Sequence, residues 1–148
     1  MDIRQIDDQH KLDFRELLLL ADEQEDMFLK YLYRGEMFAL YAGEPVATCV
    51  VTEEGAGIYE LKSIAVKPQY QRMGYGKALI TFIENRYRKT GKLLLVGTGD
   101  APSTIGFYHS CGFVHSHTVK NFFTDHYDHP IIDEGKLLTD MIYLKKNL

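Results

Sequence analysis

The stretch from Ile64 to Ile80 most constrains how this 148-residue chain can fold. Three β-favouring residues lead to Lys67-Pro68, and a proline disfavours helical backbone in the residue before it. A loop of the form Q-x-x-G-x-G follows at Gln71–Gly76, where glycine permits a tight turn and close approach to a ligand. Apolar residues then recur at helical spacing as far as Gly91. The stretch therefore predicts a strand, a glycine loop and a helix.

A glycine loop that opens a helix is suited to binding phosphate, because unpaired N–H groups and the positive end of the helix dipole meet there. Arg72 and Lys77 add positive charge. The dinucleotide pattern G-x-G-x-x-G fails, since Leu79 occupies its third glycine position. The nucleotide P-loop fails too, since it requires Ser or Thr where Ala78 stands. The remaining interpretation is a pyrophosphate-binding loop that needs no metal.

Composition narrows the class of protein and its partners. The length favours one domain, 1–148. The net charge of −4 argues against nucleic acid and anionic membranes as partners. Two cysteines and an acidic N-terminal segment without a signal-peptide pattern predict a cytoplasmic protein without disulfides. The apolar runs are too short to span a membrane.

Periodicity predicts a mixed α/β sheet, because a β-meander leads into one long helix between two strands. Predicted strands are Asp2–Asp7, Glu36–Tyr41, Pro45–Thr52, Ile58–Val66, Lys92–Val96, Phe113–Phe122 and Leu137–Lys145. Predicted helices are Lys11–Arg34 with a break at the acidic patch Asp22–Asp26, Tyr75 to Gly91, and Ser103–Cys111. The segment Thr124–Lys136 is expected to be a polar loop. The acidic patch is interpreted as a solvated helix start, with a lid over a cationic acceptor as the alternative.

A second motif, F-Y-x-x-C-G-F at Phe107–Phe113, follows the glycine loop in a helix-to-strand context. Together with Ile64–Val66 and Gln71–Gly76, it resembles the GNAT superfamily of acetyl-CoA-dependent N-acetyltransferases. The resemblance covers Met37 to Phe123. It implies the GNAT acyl-CoA N-acyltransferase fold, a mixed and mostly antiparallel α/β sheet of about seven strands with about four helices.

The resemblance also implies how acetyl-CoA binds. In the family, the loop amides hold the pyrophosphate, and the preceding strand pairs its backbone with the pantetheine arm beside a slot where the next strand splays away. The matching positions are Ile64, Ala65 and Val66 on the strand and Gln71, Arg72, Met73, Gly74, Tyr75, Gly76 and Lys77 in the loop. Many members carry an Asn before the F-Y block. This chain has none, and Ser103 or Asp100 is the candidate for that contact.

Two residues are predicted to carry the chemistry. A lysine-like amine is mostly protonated near neutral pH, a deficit of roughly 4 kcal/mol that a general base offsets in part. Glu60 is the candidate base, on a strand whose alternation predicts one face for Glu60, Lys62, Ile64 and Val66. A solvated strand glutamate is the alternative. By resemblance, Tyr108 donates a proton to the departing thiolate and a backbone N–H near Val66 stabilises the oxyanion. A core aromatic is the alternative for Tyr108.

The acceptor site is predicted in the loop before the last strand, where aromatic and acidic side chains suit a cationic amine. Its candidates are Phe123, Asp125 and Tyr127. No metal is expected: the pair His126 and His129 is a weak candidate in a polar loop. Cys111, beside a helix-ending glycine, is interpreted as a small buried residue and not as a nucleophile.

We therefore expect an N-acetyltransferase that acts by direct attack of a primary amine, with a small amine or amino-containing metabolite as the acceptor. Two alternatives stay open: acetylation of a protein or peptide amine, and a non-catalytic acyl-CoA-binding module. Pairing of two copies through the last strands into a homodimer is a further expectation.

Overall fold

The computed structural model describes residues 1–148 and is built on one seven-stranded sheet. Along the chain, the strands are β1 (Asp2–Ile6), β2 (Glu36–Ala42), β3 (Glu44–Gly55), β4 (Ile58–Val66), β5 (Leu93–Thr98), β6 (Val114–Val119), β7 (Ile132–Asp133), β8 (Lys136–Leu137) and β9 (Met141–Asn147). The sheet order is β1-β2-β3-β4-β5-β9-β6, while β7 and β8 form a separate hairpin. Only β4 and β5 pair in parallel; every other neighbouring pair is antiparallel.

Helices cover both faces of the sheet. They are α1 (Arg15–Ala21), α2 (Glu25–Leu32), α3 (Tyr75–Tyr87), α4 (Pro102–Ser110) and α5 (Phe122–His126), with 3₁₀ segments at Asp8–Phe14 and Pro68–Tyr70. Acidic residues in the first turn of α2 and a proline at the start of α4 suit helix N-termini. None of these helices is long and apolar enough to cross a membrane.

Two hydrophobic clusters divide the core according to the face of the sheet. On one face, Leu79 and Ile83 of α3 and Tyr108 of α4 pack against Cys49 and Val51 of β3. On the other face, Leu18 of α1 and Phe28 of α2 pack against Met37 and Ala39 of β2 and Val50 of β3. The alternation of buried residues along β2 and β3 thus anchors one helical layer on each side.

A β-bulge in β4 changes which residues share a face. Val50 pairs with Ser63 but Val51 pairs with Leu61, so Lys62 is the extra residue on β4. A bulge of this kind shifts the alternation of side chains by one position. The prediction that Glu60 lies on the same face as Ile64 and Val66 is therefore wrong. By register, Glu60, Ser63 and Ala65 face α1 and α2, and Leu61, Ile64 and Val66 face α3 and α4.

The fold class matches the prediction, and the differences concern element boundaries. The first helical stretch begins as a 3₁₀ segment, and α3 ends at Tyr87. The strand predicted at Phe113–Phe122 stops at Val119, because Asn121 turns the backbone with φ 58° into α5. The predicted polar loop is wrong in part, since it contains the end of α5 and most of the β7–β8 hairpin. Leu137 closes that hairpin, so the last strand begins only at Met141.

Gly35 offers a test of the packing between α2 and the sheet. A Cβ at Gly35 would lie 2.8 Å from both Val50 Cγ1 and the Val51 carbonyl oxygen. We expect Gly35→Ala to lower the free energy of unfolding by about 1–3 kcal/mol, because the core must shift to make room. Urea unfolding followed by circular dichroism measures this.

Gly106→Ala is the matched control for that variant, because a Cβ there meets nothing within 4 Å and Gly106 lies inside α4. Alanine is the better helix former, so this variant is expected to be as stable as the parent or more stable by about 0.5–1 kcal/mol. Equal unfolding midpoints for the two variants would contradict the close packing at Gly35.

Candidate active site

The centre of the candidate site is a gap between β4 and β5. The two strands pair from Ile58 with Leu93 to Leu61 with Val96, and the pairing then ends although both strands continue. A cavity of about 520 Å³ lies at this divergence. Its wall includes Leu61–Ile64 from β4 and Val96–Gly99 from the end of β5. Backbone groups on this side of β4 have no strand partner and are available to a ligand.

The glycine loop lies between the end of β4 and the start of α3. Gln71 links the two, since its Nε2 donates to the Val66 carbonyl oxygen at 3.1 Å. Arg72 and Gly74 both have positive φ, 62° and 89°, which turns the chain sharply into the helix. The first helical hydrogen bond runs from Ala78 N to Gly74 O at 3.0 Å. The N–H groups of Tyr75–Lys77 therefore lack an intrahelical acceptor.

Tyr108 is positioned by α4 on the α3 side of the sheet. Its ring packs edge-on against Phe107 and Phe113, and the side chain lines the cavity although only 5% of the residue is exposed. Burial raises the pKa of the Tyr108 phenol, and nearby Cys111 raises it further. Raising a phenol pKa keeps the group protonated, so Tyr108 presents a neutral O–H donor to the cavity.

The other side of the cavity is closed by a contact between distant parts of the chain. Asp22, at the end of α1, accepts hydrogen bonds from Tyr127 at 2.8 Å and from Tyr31 at 3.3 Å. Burial raises the pKa of the Asp22 carboxyl, while these two phenols oppose the shift. Asp22, Tyr127 and the buried Phe123 all line the cavity. The cavity therefore runs from α4 on one face of the sheet to the α1–α2 loop on the other.

Comparison with known proteins assigns this architecture to a family. Residues 33–115 match the family model described as Acetyltransferase (GNAT) domain. The chain is also 34% identical over 136 residues to the uncharacterized N-acetyltransferase YvbK of Bacillus subtilis strain 168, covering 90% of this chain and 88% of that protein. The chain belongs to the GNAT acetyltransferase family.

Solved structures agree with this assignment. A GNAT family acetyltransferase from Elizabethkingia anophelis with acetyl-CoA bound is 31% identical with a TM-score of 0.92, over 99% of this chain and 97% of that one. The IAA acetyltransferase from Bacillus cereus ATCC 14579 is 30% identical with a TM-score of 0.93, over 99% of both chains. The predicted superfamily, fold and enzyme class are confirmed.

Within this GNAT domain, the predicted cofactor residues occupy two environments. Ile64, Gln71 and Ser103 line the cavity. Ser103 lies in the first turn of α4 and donates a hydrogen bond to Glu134 of the β7–β8 hairpin. Asp100 forms an ion pair with Lys136 at 2.8 Å, and its other carboxylate oxygen is buried without a partner. The other predicted cofactor residues lie outside the cavity wall: Ala65, Val66, Arg72, Met73, Gly74, Tyr75, Gly76 and Lys77. Those that belong to the loop are exposed or half-buried.

Glu60 lies at the edge of the site. It is buried, with 6% of the residue exposed, and its carboxylate contacts the Lys62 ammonium at 3.0 Å and the Tyr143 hydroxyl at 3.3 Å. Lys62 lines the cavity, whereas Glu60 sits just before the first β4 residue of the wall. Glu60 can therefore reach the cavity through Lys62. Its role as a base stays a prediction.

Of the predicted acceptor residues, the structure brings Phe123 and Tyr127 to the cavity but not Asp125, which is exposed on α5 and outside the wall. Sequence reasoning missed Ser63, a cavity residue with 4% exposure whose hydroxyl has no hydrogen-bond partner. Because of the bulge at Lys62, simple alternation along β4 does not predict which face of the sheet Ser63 lies on. Asp22 carried a signal in the acidic patch. Glu25 and Asp26 form the exposed first turn of α2, as the favoured interpretation expects, whereas Asp22 lines the cavity. A lid over the acceptor stays a prediction.

The histidines and cysteines outside the cavity form no second centre. His126 stacks on Phe122, whereas His129 contacts Asp128 and Glu23. No group of three or more His, Cys, Asp and Glu side chains could hold a metal ion. Cys111 is buried at the end of α4, and burial raises the pKa of its thiol, which opposes formation of a thiolate nucleophile.

Proposed function

We propose that this GNAT domain transfers the acetyl group of acetyl-CoA to the primary amine of a small molecule by direct attack, without an acetyl-enzyme intermediate. The observation that carries the proposal is the cavity between β4 and β5, which opens to the glycine loop and α4 on one face and to the α1–α2 loop on the other. Donor and acceptor can therefore approach the same point from opposite faces of the sheet.

Binding of acetyl-CoA is assigned to the α3 side. The free N–H groups at the start of α3 and the positive charges of Arg72 and Lys77 suit the pyrophosphate. The unpaired edge of β4 beyond Leu61 suits the amide groups of the pantetheine arm. The relative from Elizabethkingia anophelis has acetyl-CoA bound, which supports acetyl-CoA as the donor.

In the transfer step, the neutral amine attacks the thioester carbonyl, the carbon–sulfur bond breaks and the thiolate leaves. The attacking nitrogen gives up its second proton, which ends on the departing sulfur. The amine must first lose a proton, which Glu60 can accept by way of Lys62 or water. Tyr108 stabilises the leaving sulfur. Because the pKa of Tyr108 is raised, its phenol acts chiefly as a neutral hydrogen-bond donor to the sulfur. Burial also raises the pKa of the leaving thiol, so the thiolate can then take up a proton from the phenol.

A small acceptor is favoured over a protein amine because two segments of the chain meet over the acceptor side of the cavity and cover it. The α1–α2 loop and the segment after α5 are joined by three contacts: Tyr127 to Asp22, Asp128 N to Gln24 Oε1 at 3.2 Å, and His129 to Glu23 at 3.1 Å. An extended polypeptide needs an open groove. A single-domain chain, a cytoplasmic location and a homodimer through the last strands remain predictions.

The test is release of free thiol from acetyl-CoA in the presence of a panel of amines. We expect acetyl-CoA to raise the melting temperature and at least one small amine to accelerate thiol release above the rate with water alone. Lysine-containing peptides serve as the comparison for a protein acceptor. Thermal stabilisation by acetyl-CoA without thiol release to any amine or peptide would contradict the transferase and identify an acyl-CoA-binding module.

A further inference from the structure

The wall of the cavity is strongly acidic. It carries the carboxyl groups of Asp22, Glu23, Asp133 and Glu134, against one basic residue, Lys62. Asp22 and Glu23 lie at the acceptor end, whereas Glu134 contacts Ser103 of α4. The Lys62 ammonium is 3.0 Å from Glu60, which neutralises its charge. A ligand in this part of the cavity thus meets an excess of negative charge, which favours a cation and repels a carboxylate.

Asp22 is the one carboxylate in this wall that is half-buried, and only neutral side chains hold it in place. Asp133 and Glu134 are exposed. Glu23 contacts His129, and Glu134 accepts a hydrogen bond from Ser103. Asp22 instead accepts hydrogen bonds from two neutral phenols, Tyr31 and Tyr127. The two tyrosines fix its direction and leave its charge uncompensated.

A buried hydroxyl lies in the same cavity wall as this carboxylate. The Ser63 hydroxyl lines the cavity and is buried without a hydrogen bond of normal geometry. Its one polar neighbour of note is the Tyr31 phenol, whose pKa it lowers through a weak hydrogen bond. Ser63 also lies just beyond the point where β4 leaves β5. A buried hydroxyl without a partner is costly unless a ligand satisfies it.

We infer that Asp22 receives a second ammonium group of the acceptor and that Ser63 bonds to the acceptor near its reacting amine, so that the acceptor is a short diamine or polyamine. The inference rests on the proposed function. An amino acid fits poorly, because its carboxylate would face the acidic wall. A neutral monoamine fits the space but leaves Asp22 without its cation.

Three linear amines test the inference on the unmodified protein. They are 1,5-diaminopentane, pentylamine and 6-aminohexanoate, which share an aliphatic chain and end in a cation, a methyl group and an anion. We expect kcat/KM for the diamine to exceed that for pentylamine at least tenfold, because a hydrogen-bonded ion pair is added, and 6-aminohexanoate to be the poorest acceptor.

Variants then assign the preference to Asp22. We expect Asp22→Asn to reduce the diamine-to-pentylamine ratio to near one, with KM for acetyl-CoA unchanged. Tyr127→Phe keeps the charge but removes one hydrogen bond, so its ratio should fall between the two. Asp13→Asn, an exposed residue outside the cavity, is the matched control and should keep the parent ratio.

The possible outcomes separate the two proposals. If amines are acetylated but the diamine has no advantage, or its advantage survives Asp22→Asn, the inference is wrong while the transferase stands. If acetyl-CoA binds but none of the amines, including the wider panel, is acetylated, both the inference and the proposed function fail.

Discussion

Replacing Tyr108 with phenylalanine is expected to lower kcat at least about tenfold while acetyl-CoA still binds. The hydroxyl is the only group removed, and it belongs to a residue that lines the cavity. Its loss therefore deprives the leaving thiolate of a donor but leaves the packing against Phe107 and Phe113 intact. Steady-state kinetics of thiol release, with acetyl-CoA affinity measured separately, checks both parts.

Tyr59→Phe is the matched control, because Tyr59 is a buried tyrosine of the same core whose hydroxyl contacts Thr90 away from the cavity. It should keep the parent kcat. The raised pKa of Tyr108 further predicts that the parent enzyme retains this donor at least up to the ordinary tyrosine pKa of 10.0. An unchanged kcat in Tyr108→Phe would remove Tyr108 from the mechanism.

Placing an aspartate at Gly74 is expected to weaken acetyl-CoA binding at least tenfold while the domain stays folded. Gly74 precedes α3 with φ 89°, and a Cβ there meets nothing within 4 Å. The new side chain fits, but its charge would lie where the loop is proposed to hold pyrophosphate. A negative charge at a helix N-terminus is compatible with the helix dipole. The left-handed backbone at this position strains any side chain, so we expect a loss of about 1 kcal/mol in stability.

Gly74→Asn separates charge from shape in this test. Asn and Asp have nearly the same size, and both tolerate the left-handed backbone that Gly74 adopts better than other side chains do. Isothermal titration of acetyl-CoA into both variants, with melting temperatures as the check on folding, makes the comparison. Equal affinities for the Asn and Asp variants would contradict a phosphate site at this position.

The donor half of the site could be predicted because it is local in sequence. Strand β4, the loop at Gln71–Gly76 and the start of α3 are contiguous, and the conformations of Pro68 and Gly74 follow from their covalent structures. The register at Lys62 could not be predicted in this way. One extra residue in β4 exchanges the two faces of the strand, and only the pairing with β3 shows where it is inserted.

The sequence alone determined the α/β sheet and the loop that suits a pyrophosphate, since both depend on short-range periodicity and on glycine and proline at fixed spacing. Its motifs also carried the resemblance to the family. Tertiary structure alone decided the acceptor side. Asp22 and Tyr127 are 105 residues apart and meet only when α1 and α5 pack near the same end of the sheet. Ser63 lines the same cavity because the bulge at Lys62 places it on the α1–α2 face of the sheet. Such contacts depend on how the elements assemble, and no local pattern encodes them.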